Sequence, residues 1–312
     1  MEMEINSSPR RQRDAYSAIL FQGGTVIDGT GNVSTVQDVL IVGDRIQAIG
    51  HNIEYPGGTR IIDSRNKIVC PGFIDAHGHS DYHVLLAPNC ESKVHQGITT
   101  EVIGNCGMSL APLSDRNRAE VRDELSVEDS AIPWNSFGQY LEHLRQTPIG
   151  MNLVPLVGHG TVRAALFGYE NKKLSTNELA QLRKAVEQAS EEGARGISSG
   201  LEYPPGCFGD VRELAELVGC FQGTDGIYTT HMRDEGETLL QAIDEAIEVA
   251  RRAQVKLQIS HLKACGKDLW GQAERAIEKI EQAEKEGVRV RFDRYPYLAV
   301  STHLAMFLPV ES

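Results

Sequence analysis

Pro71-Gly72-Phe73-Ile74-Asp75-Ala76-His77-Gly78-His79-Ser80-Asp81 is the stretch on which the reading of this chain turns. An apolar run over residues 67–70 leads into it and continues through Phe73 and Ile74. A short apolar run of this kind reads as a buried strand. Side chains alternate along a strand, so Asp75, His77 and His79 are expected on one face. Two imidazoles two residues apart at a strand end can hold one metal ion. A pair of surface histidines in a Gly-rich turn fits the same residues, and the pair alone does not separate the two readings.

The remaining sequence narrows the choice. A length of 312 residues fits one large α/β domain with a small accessory piece. The net charge of −12, with no basic stripe, removes the electrostatic term on which nucleic-acid binding depends. No apolar run approaches the ~18 residues of a membrane span. Residues 1–14 are polar, with Arg10, Arg11 and Arg13, and lack the apolar core of a secretory signal. Residues 1–15 are expected to be a disordered lead-in. Cys70, Cys90, Cys106, Cys207, Cys220 and Cys265 are scattered without a pairing rhythm. That pattern predicts reduced thiols in a cytoplasmic protein, with any special one a ligand or nucleophile.

Residues 16–66 read as a small β-module. Ala18-Ile19-Leu20-Phe21 and Thr25-Val26-Ile27 flank Gly23-Gly24 as short strands. Val39-Leu40-Ile41-Val42 and Arg45-Ile46-Gln47-Ala48-Ile49 flank Gly43-Asp44, a two-residue hairpin signal. From residue 67 the texture changes to strand-length apolar runs alternating with helical patterns. The runs lie near residues 68–76, 99–104, 151–157, 195–199, 226–230, 255–260 and 288–293. Leu179, Leu182, Val186 and Ala189 share one helical face, preceded by a capping-box pattern from Ser175 to Glu178. Leu239, Leu240, Ile243, Ile247 and Ala250 mark a second helix, and residues 270–285 a third. Residues 115–145 form a longer insertion with its own helices.

Alternating strands and helices predict βα units and a parallel sheet. Seven such strands fit an open doubly wound sheet or most of a barrel. Polar residues fall at the carboxyl ends of nearly every run: His77 and His79, Cys106, His159, Ser198 and Ser199, His231, His261, Asp293. Such groups collect at one mouth in a (β/α)₈ barrel, whereas an open sheet uses fewer strands around a switch point. The chain also lacks a Gly-x-Gly-x-x-Gly opening a helix after the first strand. The barrel is the favoured architecture.

Five residues are candidates to meet at that mouth: His77, His79, Cys106, His231 and His261. Imidazole and thiolate are ligands that zinc prefers. Taken singly, Cys106 reads as a small buried hydrophobe and each histidine as a hydrogen-bonded rim residue. Four separate strand ends finishing in metal-type ligands are hard to produce by packing alone.

Pro71-Gly72-Phe73-Ile74-Asp75-Ala76-His77-Gly78-His79 resembles the first-strand signature of the amidohydrolase superfamily of metal-dependent hydrolases. More narrowly, the chain resembles the D-aminoacylase (N-acyl-D-amino-acid deacylase) family within it. The matching pieces are Gly104-Asn105-Cys106-Gly107, Val157-Gly158-His159-Gly160-Thr161-Val162-Arg163, Gly200-Leu201-Glu202-Tyr203-Pro204-Pro205, Thr230-His231-Met232-Arg233, Ser260-His261-Leu262-Lys263 and Asp293-Arg294-Tyr295-Pro296-Tyr297. The resemblance implies a (β/α)₈ TIM-type barrel over residues 67–312. It implies a tight zinc site at Cys106, His231 and His261 and a weaker second position at His77 and His79. Tyr203, Lys263, Tyr295 and Ser301 match positions near the substrate carboxylate, and His159 is expected to be structural. The implied partner is a small N-acyl-D-amino acid, with neither nucleic acid nor membrane. The family's proton-transferring aspartate ends the eighth strand, and this sequence stops at Ser312, soon after the seventh. The resemblance therefore implies an incomplete member, its barrel lacking the eighth strand and its activity impaired. A hydantoinase-like amidohydrolase and a catalytically inactive metal-binding fragment are the competing readings.

Overall fold

The computed structural model describes residues 18–302. The expected lead-in lies outside the described residues. The chain divides into two compact units, Met1–Gly72 and Phe73–Ser312.

The first unit is one five-stranded sheet: β1 (Ala18–Val26), β2 (Thr35–Val42), β3 (Arg45–Gly50), β4 (Arg60–Asp63) and β5 (Ile68–Val69). The order is β3-β2-β1-β4, with β5 also pairing β1. Gly43-Asp44 makes the expected two-residue turn between β2 and β3, with Gly43 at φ +60°. Ala18, Leu20 and Leu40 form a small core of this unit's own. Two expectations change here. Gly23-Gly24 is a bulge inside the continuous β1, where the register against β2 shifts between Phe21 and Gly24. The run over residues 68–76 is two strands, because Ile68 and Val69 pair with β1 of this unit before Pro71 interrupts the chain. The boundary expected at residue 66 accordingly moves to Gly72.

The second unit holds β6 (Phe73–Asp75), β7 (Ile98–Ile103), β8 (Asn152–Pro155), β9 (Val157–Gly158), β10 (Gly196–Gly200), β11 (Ile227–His231), β12 (Lys256–Ile259) and β13 (Val290–Phe292). Its helices are α1 (His83–Leu86), α2 (Glu91–Val94), α3 (Arg118–Leu125), α4 (Phe137–Gln146), α5 (His159–Phe167), α6 (Thr176–Glu192), α7 (Val211–Val218), α8 (Leu239–Ala253) and α9 (Gln272–Lys285). The helices α3 and α4 are those of the expected insertion. β8 and β9 are halves of one strand split at Leu156. Every pairing is parallel, in the orders β6-β7-β8 and β9-β10-β11-β12-β13. Sequence order is therefore spatial order, as in a barrel wall; a doubly wound sheet reverses at its switch point.

Curvature is visible in one contact. Asp293, just past β13, brings Oδ1 within 3.2 Å of Nδ1 of His77, just past β6. Seven strands laid flat at ~4.8 Å spacing would hold those edges about 29 Å apart. The wall therefore curls round on itself, consistent with a (β/α)₈ barrel, with seven strands among the described residues.

Helix packing follows the sequence pattern. Ser175 and Glu178 form the capping box of α6, and Leu179, Leu182, Val186 and Ala189 are its buried residues. Fully burying a leucine such as Leu182 contributes about 1.5–3 kcal/mol. β6 does not match its expected burial. Phe73 and Ile74 are 58% and 67% exposed, because β6 pairs only with β7 among the described residues.

Candidate metal centre

The His-x-His turn is shaped by what lies beneath it. β6 ends at Asp75, whose Oδ1 accepts from the His77 N–H and whose Oδ2 lies 2.5 Å from Lys93 Nζ. Asp75 thus turns to Lys93 rather than joining the histidines. Gly78 covers the fully buried Glu101 of β7; a Cβ there would lie 1.7 Å from Glu101 Oε1. Only glycine lets the turn sit this close, with the Ser80 N–H donating to the same carboxylate at 3.3 Å.

Cys106 Sγ lies 3.3 Å from His77 Nε2 and 3.7 Å from His261 Nε2. Cys106 and His261 both sit in left-handed backbone, at φ +54° and +38°. Each such residue costs about 1–3 kcal/mol and persists where its surroundings over-determine it. Gly107, at φ +75°, is part of that constraint, since a Cβ would lie 2.6 Å from the Gly200 N.

The other rings close round this pair. Centroids of His77 and His79 are 5.3 Å apart, of His77 and His261 5.0 Å, and of His231 and His261 4.5 Å. Two overlapping groups of candidate ligand atoms result: His77, Cys106 and His261, and His231, Glu235 and His261. His261 belongs to both. His159 stands apart, fully buried, with Nε2 2.8 Å from Glu213 Oε1.

Each of three histidines has a carboxylate at one nitrogen. Glu202 Oε2 is 2.8 Å from His231 Nε2, Glu235 Oε1 is 2.6 Å from His261 Nδ1, and Asp293 stands at His77 Nδ1. Of these contacts only that between Glu202 and His231 has hydrogen-bond geometry, and a carboxylate bonded in that way fixes the tautomer and orientation of a ligating imidazole. The sequence reading placed Asp293 at the mouth without giving it a role, and missed Glu202 and Glu235 as site residues. The available signal was chemical: a histidine that offers one nitrogen to a metal must place its other N–H on an acceptor.

The electrostatics suit neutral ligands. Burial of the ring, aided by repulsion from His77, His261 and His231, lowers the His79 pKa to about 4, although the residue as a whole is exposed. Burial also lowers His261, outweighing the opposite pull of Glu235. Burial works to raise Asp293 and Glu235, but their bonds to His77 and His261 hold both below the usual carboxylate range. Burial pushes the Cys106 thiol well up, and a coordinated cation reverses that by taking the thiolate directly. Neutral imidazoles, a buried sulfur and carboxylates behind them form a donor set that fits zinc.

The cluster opens into a cavity of about 570 Å³, lined by His79, Cys106, Met108, Tyr203, Lys263 and Tyr295 among others. Ser301 also lines it, so all four residues expected near a substrate face one space. The Tyr203 hydroxyl is 3.1 Å from Thr302 Oγ1 and 3.5 Å from His231 Nδ1; burial raises its pKa to about 12. Lys263 Nζ lies 5.5 Å from the Tyr295 ring centroid and contacts Glu235 Oε2. Among the described residues no helix is long and apolar enough to cross a membrane.

The chain has relatives among known proteins. The chain is 39% identical to a D-aminoacylase of Alcaligenes xylosoxydans xylosoxydans over 286 residues, covering 92% of this chain and 58% of that protein. A solved D-aminoacylase structure superposes with a TM-score of 0.82 at 37% identity, covering 91% of this chain and 59% of that one. The N-acyl-D-glutamate deacylase of Bordetella bronchiseptica, solved with zinc and a phosphonate inhibitor, gives 0.81 at 31% identity over 89% of this chain and 58% of that one. The chain thus spans less than two thirds of the length of the relatives it matches. Its curled parallel wall and strand-end candidate ligands come with a match of residues 60–295 to the Amidohydrolase family model, and the chain belongs to that family.

Proposed function

We propose that this chain carries the metal centre and substrate cavity of a zinc-dependent N-acyl-D-amino-acid deacylase. The observation behind this reading is that Cys106, His77 and His261 converge, and that Cys106 and His261 line one cavity together with Lys263. Cys106, His231 and His261 would hold a tight zinc, with His77 and His79 serving a weaker second position. When bound, zinc brings the pKa of water from about 16 toward about 7 and polarises an amide carbonyl. The protein's own residues supply binding and orientation. Lys263 places an ammonium where an α-carboxylate can be held, with Tyr203, Tyr295 and Ser301 on the surrounding walls. Glu202 holds the His231 ring, and Glu235 and Asp293 stand beside the rings of His261 and His77. The net reaction adds one water across the C–N bond, giving a free carboxylic acid and a D-amino acid.

General acid–base help is worth about 10²–10⁴-fold in rate. The three carboxylates touching the histidines are each committed to a ring. Turnover by these 312 residues alone is therefore expected to be slow. All six cysteines are free, and a thiolate ligand places the reaction in a reducing compartment such as the cytoplasm.

The test is zinc content by elemental analysis, followed by hydrolysis of N-acetyl-D-leucine, its L-enantiomer and a hydantoin at high enzyme concentration. Bound zinc with slow, D-selective deacylation supports the proposal. Hydantoin opening without N-acyl cleavage, or no retained zinc, sinks it.

A further inference from the structure

Asn105 precedes Cys106 and is buried, and its side chain reaches two other segments that carry candidate ligands. Its Nδ2 donates to the Gly78 carbonyl at 3.3 Å and to the Val102 carbonyl at 2.9 Å. Both partners are carbonyl oxygens, so only the NH₂ end of the amide can face them. The Oδ1 end accepts from the Thr229 hydroxyl at 3.4 Å. Gly78 lies between His77 and His79, and Thr229 two residues before His231. The Gly78 N–H itself donates to the Val102 carbonyl at 3.0 Å. Amide and turn therefore close a ring of hydrogen bonds: Gly78 to Val102, Asn105 to Val102, and Asn105 to Gly78. The turn that carries Cys106 has separate support. The Gly107 N–H donates to Ser198 Oγ at 3.0 Å, Ser198 Oγ donates to the Gly104 carbonyl at 2.5 Å, and the Thr161 N–H donates to the Gly107 carbonyl at 3.1 Å. Those bonds do not reach the His-x-His turn.

We infer that Asn105 is a positioning residue: its amide clamps the His77-Gly78-His79 turn to the Cys106 turn and so sets the 3.3 Å approach of Cys106 Sγ to His77 Nε2. Its consequence for a metal rests on the reading of His77, His79 and Cys106 as ligands; the clamp itself does not. Asparagine suits the place, because one short side chain offers two donors on a single nitrogen with an acceptor beside it. An aspartate there would set a carboxylate against two carbonyl oxygens. An alanine would leave the buried Gly78 carbonyl without this donor. The clamp thereby couples the position expected to hold the weaker ion to the sulfur of the tighter one.

The experiment compares wild type, N105A and S198A by hydrogen–deuterium exchange of the full chain after chelation, followed over residues 76–81 and 104–109, and then by zinc titration. In N105A, exchange over 76–81 should rise at least about fivefold, while 104–109 stays within about twofold of wild type. S198A should do the reverse, because its bonds end in the Cys106 turn. Unchanged exchange over 76–81 in N105A overturns the inference. So does equal acceleration of both segments, which would make Asn105 a support of the fold at large. If N105A fails to fold, N105S, whose hydroxyl has a single donor, is judged on the same two segments. The titration reads the consequence at the centre. N105A should lose at least about tenfold in affinity for the second ion while keeping the Co²⁺-to-thiolate band of the first. Equal loss of both ions counts against the inference. A wild type that takes up no zinc, or one ion only, removes the metal reading in whole or in part, and the exchange result then decides the clamp.

Discussion

Removing the Glu213 carboxylate should be among the most damaging single changes away from the metal centre. Glu213 Oε1 is 2.8 Å from His159 Nε2, and both of its oxygens are 2.6 Å from an Arg163 guanidinium nitrogen. Arg163 is 1% exposed and His159 fully buried. In E213A the arginine keeps its bond to the Lys172 carbonyl but loses its counter-charge in a buried site. Breaking one side of a buried ion pair costs about 3–5 kcal/mol, against about 5–15 kcal/mol for a whole domain. E213Q keeps the shape and one acceptor but strands the same charge, so it should cost somewhat less than E213A and still about 3 kcal/mol. R163M/E213L should recover most of the E213A loss, since an apolar pair leaves no stranded charge. Urea unfolding followed by tryptophan fluorescence suits the test, because Trp134 is 1% exposed within the same unit. The pH dependence has a definite sign. Burial works to raise the Glu213 pKa, but His159 and Arg163 together hold it below its ordinary value of 4.5. The folded state thus binds fewer protons than the unfolded one, and the stabilisation is present above that value and lost as pH falls through the folded pKa. Wild-type stability should drop on acidification below about pH 5, with a flatter profile in E213A. An E213A cost under about 1 kcal/mol would refute the reasoning, because a charge stranded inside the protein cannot be that cheap.

C106S should lose the tight zinc, since a hydroxyl is a much poorer zinc ligand than a thiolate; elemental analysis and loss of the Co²⁺-to-sulfur band would show it. G78A should cost about 1–3 kcal/mol and loosen the His-x-His turn, because its Cβ would overlap the buried Glu101 carboxylate. G57A, whose Cβ meets nothing within 4 Å, is the control, and thermal unfolding of the two distinguishes them. K263M should raise KM at least tenfold, about 1.4 kcal/mol, for an N-acyl-D-amino acid but leave unchanged the KM of the analogue with a neutral carboxamide. An equal rise for both would mean that Lys263 does not meet the substrate carboxylate.

The sequence showed local features well and tertiary partners poorly. The capping box at Ser175 and the buried face from Leu179 to Ala189 are set within a few helical turns, so period and chemistry reveal them. Gly23-Gly24 is different: a glycine pair fits a turn or a bulge, and only the register against β2 separates them. His159 and His231 occupy equivalent strand-end positions, yet one faces Glu213 and the other the cavity. The unread carboxylates nevertheless follow a rule. Glu202, after β10, serves His231 on β11, and Glu235, after β11, serves His261, just past β12. Each loop supplies the acceptor for the next strand's histidine, because parallel neighbours in sequential order bring consecutive strand ends within about 5 Å. Asp293 extends the pattern from the loop after β13 to His77 after β6, which is possible only where the wall curves back toward its first strand. The curvature of the wall and the setting of its candidate ligands are thus one fact: flatten the sheet, and His77 loses its carboxylate neighbour while Glu202 and Glu235 keep their partners.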